Sequence, residues 1–147
     1  VRIVKMRFGL VLAAQGGAFP KLLKPIQYGV GGTMGDGRAV MSWIHLTDLV
    51  RMLICALNKN TLVGAINAVA PESVTNLQFT QTLAAKLHRR AVFRIPKFVL
   101  KGVLGEMSSV LIFSQNVSSD KIQKSGFTFL YPRLSEALDQ LIDPSLN

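Results

Sequence analysis

The sequence predicts an α/β fold whose first half contributes strands and a helix to a parallel sheet and whose second half is mostly helical. Three observations carry this. Extended apolar runs alternate with helical patterns up to Ala70, the order that builds parallel layers. Beyond Ala70 the apolar residues fall mainly at helical spacing. Of the 147 residues 49% are hydrophobic and 17% charged, which suits a packed core and not a disordered chain.

Residues 1–12 alternate, with Val4, Met6, Phe8 and Leu10 on one face, then become continuously apolar, as in a strand buried on both sides toward its end. Gly16 and Gly17 stop that strand, and residues 18–28 predict a short helix interrupted by Pro20 and Pro25. Five glycines from Gly29 to Gly37 predict a loop using positive φ. Residues 39–46 predict a second strand, followed by Thr47 as N-cap and Asp48 at the positive end of a helix dipole. The helix over 48–57 is apolar nearly all round except for Arg51, so it is expected to be largely buried, with Cys55 as a small core residue. Residues 62–69 predict a third strand, stopped at Ala70-Pro71.

Thr75 and Gln78 have the spacing of a capping box, and the helix they open runs to about His88 with Phe79, Leu83 and Leu87 on one face. A short strand over 92–95 precedes two apolar helices, 96–104 and 106–113, separated by Gly105. The apolar excess from Pro96 to Phe113 suggests a self-association surface. Residues 119–125 predict a short helix closed by Gly126. Residues 133–142 are amphipathic, with Leu134, Ala137, Leu138, Leu141 and Ile142 at i, i+3, i+4, i+7 and i+8.

Several chemistries are excluded by composition. One cysteine and two histidines exclude a disulfide framework and a CxxC site and leave little for zinc, so no metal is expected. No apolar run reaches the ~18 residues of a membrane-spanning helix. Arg2, Lys5 and Arg7 ahead of apolar residues 8–14 resemble a signal peptide only superficially, and a cytoplasmic location is expected. The net charge of +9 is unevenly spread: Lys86, Arg89, Arg90, Arg94, Lys97 and Lys101 accumulate where no acid lies between Glu72 and Glu106. The stretch from Lys86 to Lys101 reads as a solvated face or as a docking surface for an acidic partner or nucleic acid. Phe93 and Phe98 alternate with other apolar residues as core positions do, and no nucleic-acid-binding motif surrounds them, which argues against nucleic acid.

The candidate catalytic patterns are sparse. Residues 31–37 fit the letters GxxxGxG, but a helix precedes and a strand follows, the reverse of the strand–turn–helix context that brings a pyrophosphate to a helix N-terminus. His45 lies with Trp43 and Asp48 at the carboxyl end of a strand, where it either forms a dyad or bonds locally and fixes the strand-to-helix turn. His88 reads as part of a solvated helix end. Asp139 and Asp143 sit at the end of a helix whose apolar face already accounts for it, and no Tyr-x-x-x-Lys occurs, since Gly32 and Ser135 stand four residues after the two tyrosines. No catalytic residue is expected in this chain.

The ordered motifs Arg7-Phe8-Gly9-Leu10-Val11, Gly16-Gly17-Ala18-Phe19, Gly35-Asp36-Gly37-Arg38 and Ser42-Trp43-Ile44-His45-Leu46-Thr47-Asp48 resemble the later half of an extended short-chain dehydrogenase/reductase. The likeness is to the epimerase-like subgroup often described as nucleoside-diphosphate-sugar epimerases, with a C-terminal domain of unknown function. It continues through Ile66-Asn67-Ala68-Val69-Ala70-Pro71, Thr75-Asn76, Leu104-Gly105-Glu106-Met107, Gly126-Phe127-Thr128-Phe129 and Tyr131-Pro132 to Glu136-Ala137-Leu138.

The resemblance implies late strands and a helix of a Rossmann-like core over 1–14 and 44–70, and a small substrate-covering domain over 15–43 and 71–147. It implies NAD or NADP, bound mainly by a preceding half that carries the glycine-rich turn and the Tyr/Lys pair, in which lysine lowers the tyrosine pKa. Phe8, Gly9, Leu10 and Val11 would run close to the nicotinamide, and Arg38, Met41 and Trp43 would face a small-molecule substrate. Such epimerases usually place an arginine two positions before the aromatic residue of Trp43-Ile44-His45 to hold a diphosphate. Met41 stands there, so unless Arg38 substitutes from the loop a sugar nucleotide is not expected, and a smaller or more apolar substrate is compatible. On this likeness the chain is expected to be a piece of a longer protein, inactive alone, with part of its apolar surface meant for the missing half.

Overall fold

The computed structural model describes residues 1–106, 108–109 and 116–143. Its elements are β1 (Val4–Phe8), β2 (Leu10–Leu12), α1 (Phe19–Gln27), β3 (Gly32–Met34), β4 (Val40–Met41), β5 (Trp43–His45), α2 (Leu46–Asn58), β6 (Gly64–Ala68), β7 (Val74–Thr75), α3 (Asn76–Lys86), β8 (Phe93–Ile95), α4 (Lys97–Leu104), α5 (Asp120–Lys124) and α6 (Leu134–Ile142). Most of the expected 106–113 helix, and with it much of the self-association surface, lies outside the described residues.

The parallel sheet is present, but its strands are shorter than the sequence suggests. β1 pairs in parallel with β6 and β2 in parallel with β5, so the single strand expected over 1–12 changes partner at Gly9. A Cβ on Gly9 would stand 2.5 Å from the Ser42 carbonyl oxygen, which is why only glycine fits the crossing. The crossing also reverses the faces: Val4 and Met6 pack on the same side as Val11, while Leu10 and Leu12 pack on the other. A slip of one residue has this effect because side chains alternate with period two. The strand expected over 39–46 likewise divides at Ser42, β4 pairing antiparallel with β7 and β5 parallel with β2.

Two apolar clusters flank the sheet. On one side Ile44, Ile66 and Ala68 meet Leu49, Met52 and Ala56 of α2 and Ile122 of α5, with Phe127 and Phe129 closing over them. On the other, Leu10, Leu12 and Trp43 meet Phe19 of α1, Phe79 and Leu83 of α3, and Leu134, Ala137, Leu138 and Leu141 of α6. Cys55 is half-buried at the edge of the first cluster.

Local signals fare better than the glycine loop does. The Thr75–Gln78 capping box forms as expected, the Thr75 hydroxyl accepting from the Gln78 amide at 3.2 Å and the Gln78 side chain accepting from the Thr75 amide at 2.8 Å. Gly126 takes φ 90° just past α5, and α6 buries its predicted stripe. The loop expected over 29–37 contains β3, which pairs with β8 so closely that a Cβ on Gly32 would coincide with the Phe93 carbonyl. Pro20 occupies the first turn, where no amide bond is lost, and Pro25 does not end α1, which continues through it to Gln27.

Two burial expectations are corrected. α2 buries Leu49, Met52 and Ala56 but leaves Val50 46%, Ile54 52% and Leu57 74% exposed, because only one of its faces meets the sheet. Phe93 and Phe98 are not core residues: they are 57% and 75% exposed, since β8 has β3 as its one strand partner and α4 turns Leu100 inward instead.

Candidate functional site

The carboxyl ends of β1 and β6 open into a polar cleft of about 400 Å³, lined by Arg7, Phe8, Gly9, Ser42, Asn67, Val69 and residues 116–118. Ligands of open parallel sheets bind at this end of the strands. Three bonds hold the outer wall: Asn67 Nδ2 donates to the Ser118 carbonyl at 3.0 Å, the Val117 amide donates to Ser42 Oγ at 3.1 Å, and Ser73 Oγ donates to Asn116 Oδ1 at 3.3 Å. Phe8 is 57% exposed and offers an apolar face, and the Arg7 guanidinium has no bonding partner among the described residues.

The sequence-derived candidates divide around this cleft. Phe8 and Gly9 line it, whereas Leu10 and Val11 continue into the two cores and their side chains do not. Met41 and Trp43 are 3% and 0% exposed and belong to the second core. The indole Nε1 of Trp43 has no hydrogen-bond partner among the described residues. Arg38 is exposed on the loop before β4, its amide donating to Asp36 Oδ1 at 3.0 Å, and it does not line the cleft. Ser42, Asn67 and the 116–118 wall were missed, because the sequence marks none of them except by their position at strand ends.

His45 is a structural joint. It is the N-cap of α2, correcting Thr47: His45 Nδ1 accepts from the Thr47 amide at 3.1 Å, and His45 Nε2 lies 2.7 Å from Gln140 Oε1 of α6. With Nδ1 accepting, the proton sits on Nε2 and is donated to Gln140, the tautomer of a neutral ring. Burial holds its pKa below 6.5, partly offset by the Gln140 bond and the Asp48 charge. Tyr131 stacks on the ring at 4.2 Å.

Asp48, 0% exposed in the first turn of α2, holds the segment beyond α5. Its Oδ1 accepts from the Leu130 amide at 2.9 Å and Arg51 Nη1 at 2.8 Å, and its Oδ2 accepts from the Tyr131 amide at 2.8 Å. Arg51 also donates to the Thr128 carbonyl and lies 5.3 Å from the centre of the Phe127 ring. Among the described residues there is no group of three or more acidic, histidine or cysteine side chains placed to hold a metal, and no helix is long and apolar enough to cross a membrane. Lys86 of the basic stretch is committed to Asp139 at 2.6 Å.

Residues 95–141 match a family model described as a domain of unknown function, DUF1731. The chain is homologous to proteins called epimerase family proteins: it is 40% identical over 141 residues to one from Staphylococcus epidermidis, covering 96% of this chain and 47% of that protein. Against the crystal structure of human epimerase family protein SDR39U1 with NADPH the TM-score is 0.88 at 38% identity, covering 95% of this chain and 48% of that one. A nucleoside-diphosphate sugar epimerase from Corynebacterium glutamicum gives 0.76 at 27% identity, over 96% of this chain and 26% of that one. The chain therefore spans about half the length of the curated relatives it matches.

Proposed function

We propose that this chain is the C-terminal portion of an NAD(P)-dependent, epimerase/dehydratase-like oxidoreductase, and that its polar cleft lies on the nicotinamide and substrate side of the complete site. The observation that carries this is the cleft itself, set at the carboxyl ends of parallel strands with an exposed aromatic face at Phe8 and Gly9 on its lining. The homology to an NADPH-bound relative supports it. NAD(P) would supply hydride transfer. The residues present fit its apolar ring end: Phe8 and Gly9 would pack beside it and exclude water, while the 116–118 wall fixes the cleft's width. The Arg7 guanidinium would serve as a positive anchor for an anionic group.

In this reading residues 1–14 and 44–70 complete a Rossmann-like core and residues 15–43 and 71–147 form the substrate-covering part. Leu10 and Val11 would act through their backbone alone, and Arg38, Met41 and Trp43 would shape the substrate side. The second edge of β1 and the exposed row Val50, Ile54 and Leu57 would be covered in the whole protein. Catalytic groups would come from the other half, in a cytoplasmic enzyme acting on a small molecule. Calorimetry with NADPH tests the division: the full-length protein binds, and the 147-residue chain, shown to be folded by circular dichroism, does not. Micromolar binding by the chain alone would overturn the placement of the cofactor site in the other half.

A second reading draws on the corrected aromatics. Phe93 and Phe98 stand exposed among Arg94, Lys97 and Lys101, a basic and aromatic face suited to an acidic partner or nucleic acid. A DNA titration that weakens steeply with salt would favour it, and a flat one would remove it.

A further inference from the structure

A second cavity, of about 210 Å³, lies between α1, α3, α4 and the β3–β8 pair and shares no lining residue with the polar cleft. Its walls are apolar, from Ile26, Met34, Phe79, Ile95 and Leu100. Two of its lining residues are polar. Thr80 is 2% exposed and its hydroxyl has no hydrogen-bond partner among the described residues. Lys21 stands exposed at the mouth and likewise has no hydrogen bond or ion pair among the described residues.

An open apolar cavity forfeits the dispersion contacts that an occupant would make with its walls. An occupant with an apolar body and a charged group at the mouth would restore those contacts and meet Lys21. The mouth chooses the sign of its charge: among the described residues that line the cavity Lys21 is the one charged group, and none is acidic. An apolar cavity of about 150 Å³ holds benzene, so this one has room for about eight to ten non-hydrogen atoms.

We infer that this cavity is a binding site for a small amphiphilic carboxylate, such as a medium-chain fatty acid, with its apolar chain between α1 and α3 and its carboxylate at Lys21. The inference does not depend on the cofactor reading, since no residue of the cleft takes part.

The test is calorimetric titration of the full-length protein with octanoate, octan-1-ol and butyrate. Octanoate binds saturably at one site and butyrate, too short to fill the cavity, does not. Lys21→Met weakens octanoate about fivefold, as loss of a partly exposed ion pair should, and leaves octan-1-ol unchanged. Val99→Trp, at a lining position 39% exposed, closes the mouth and abolishes both. Circular dichroism and the melting temperature show that each variant remains folded. No saturable octanoate binding, binding that survives Val99→Trp, or an equal loss of octanoate and octan-1-ol in Lys21→Met would each overturn the assignment.

Discussion

Replacing Asp48 with asparagine removes one charge and one acceptor from a carboxylate that ties α2 to the chain 82 and 83 residues later. Three donors converge on it, the Leu130 and Tyr131 amides and Arg51 Nη1, at 2.8–2.9 Å. Asparagine has one carbonyl oxygen. If that oxygen serves Leu130, the side-chain NH₂ group faces the Tyr131 amide, and the reverse orientation leaves Leu130 opposed instead. One amide is orphaned either way, at about 1–3 kcal/mol, and the remaining bonds lose their charge assistance. Arg51 is 37% exposed and keeps its Thr128 bond, so it rehydrates and the full cost of an unpaired buried cation does not apply. The sum is about 3 kcal/mol, or about a hundredfold in an opening equilibrium at 1.4 kcal/mol per decade. Hydrogen exchange reads this locally: the Leu130 and Tyr131 amides of Asp48→Asn exchange about a hundredfold faster, with little change in β6. Protection within a factor of three of the parent would refute the account of Asp48 as the clamp on this segment.

Three further outcomes follow from the same geometry. Because burial lowers the pKa of His45, the unfolded chain takes up the proton first as pH falls; stability is retained above about pH 6.5 and declines below it, by at most about 1.4 kcal/mol per pH unit, until the folded ring protonates. Urea midpoints from pH 5 to 8 measure this, and His45→Asn, which keeps an oxygen for the Thr47 amide, should flatten the profile; an unchanged slope in the variant would refute the assignment. Gly9→Ala should cost about 2–3 kcal/mol of stability by pressing a Cβ on the Ser42 carbonyl, read as a lowered urea midpoint, and a loss under about 0.5 kcal/mol would contradict the close crossing. Arg2→Ala should fray the end of α2, since the guanidinium donates to the carbonyls of Ala56, Leu57, Lys59 and Leu62; the expected loss is about 1–2 kcal/mol, with faster exchange confined to the turn that follows α2.

What the sequence makes legible is what neighbours in the chain decide. The Thr75–Gln78 box, the Gly126 stop and the stripe of α6 each depend on residues within one or two turns, and each is found as read. The breaks at Gly9 and Ser42 depend on partners about 30 to 60 residues away, and no local pattern announces a strand that abandons one neighbour for another. Asp48 shows the same limit at a single residue: its place near a helix N-terminus was visible, but its hold on Leu130 and Tyr131 was not. The polar cleft belongs to this second kind, since Phe8, Ser42, Asn67 and Asn116 meet only because two parallel strands end together. Periodicity also cannot say how many faces of an apolar helix will find a partner. That is why α2 was expected to be largely buried, whereas one face meets the sheet and Val50, Ile54 and Leu57 stay exposed.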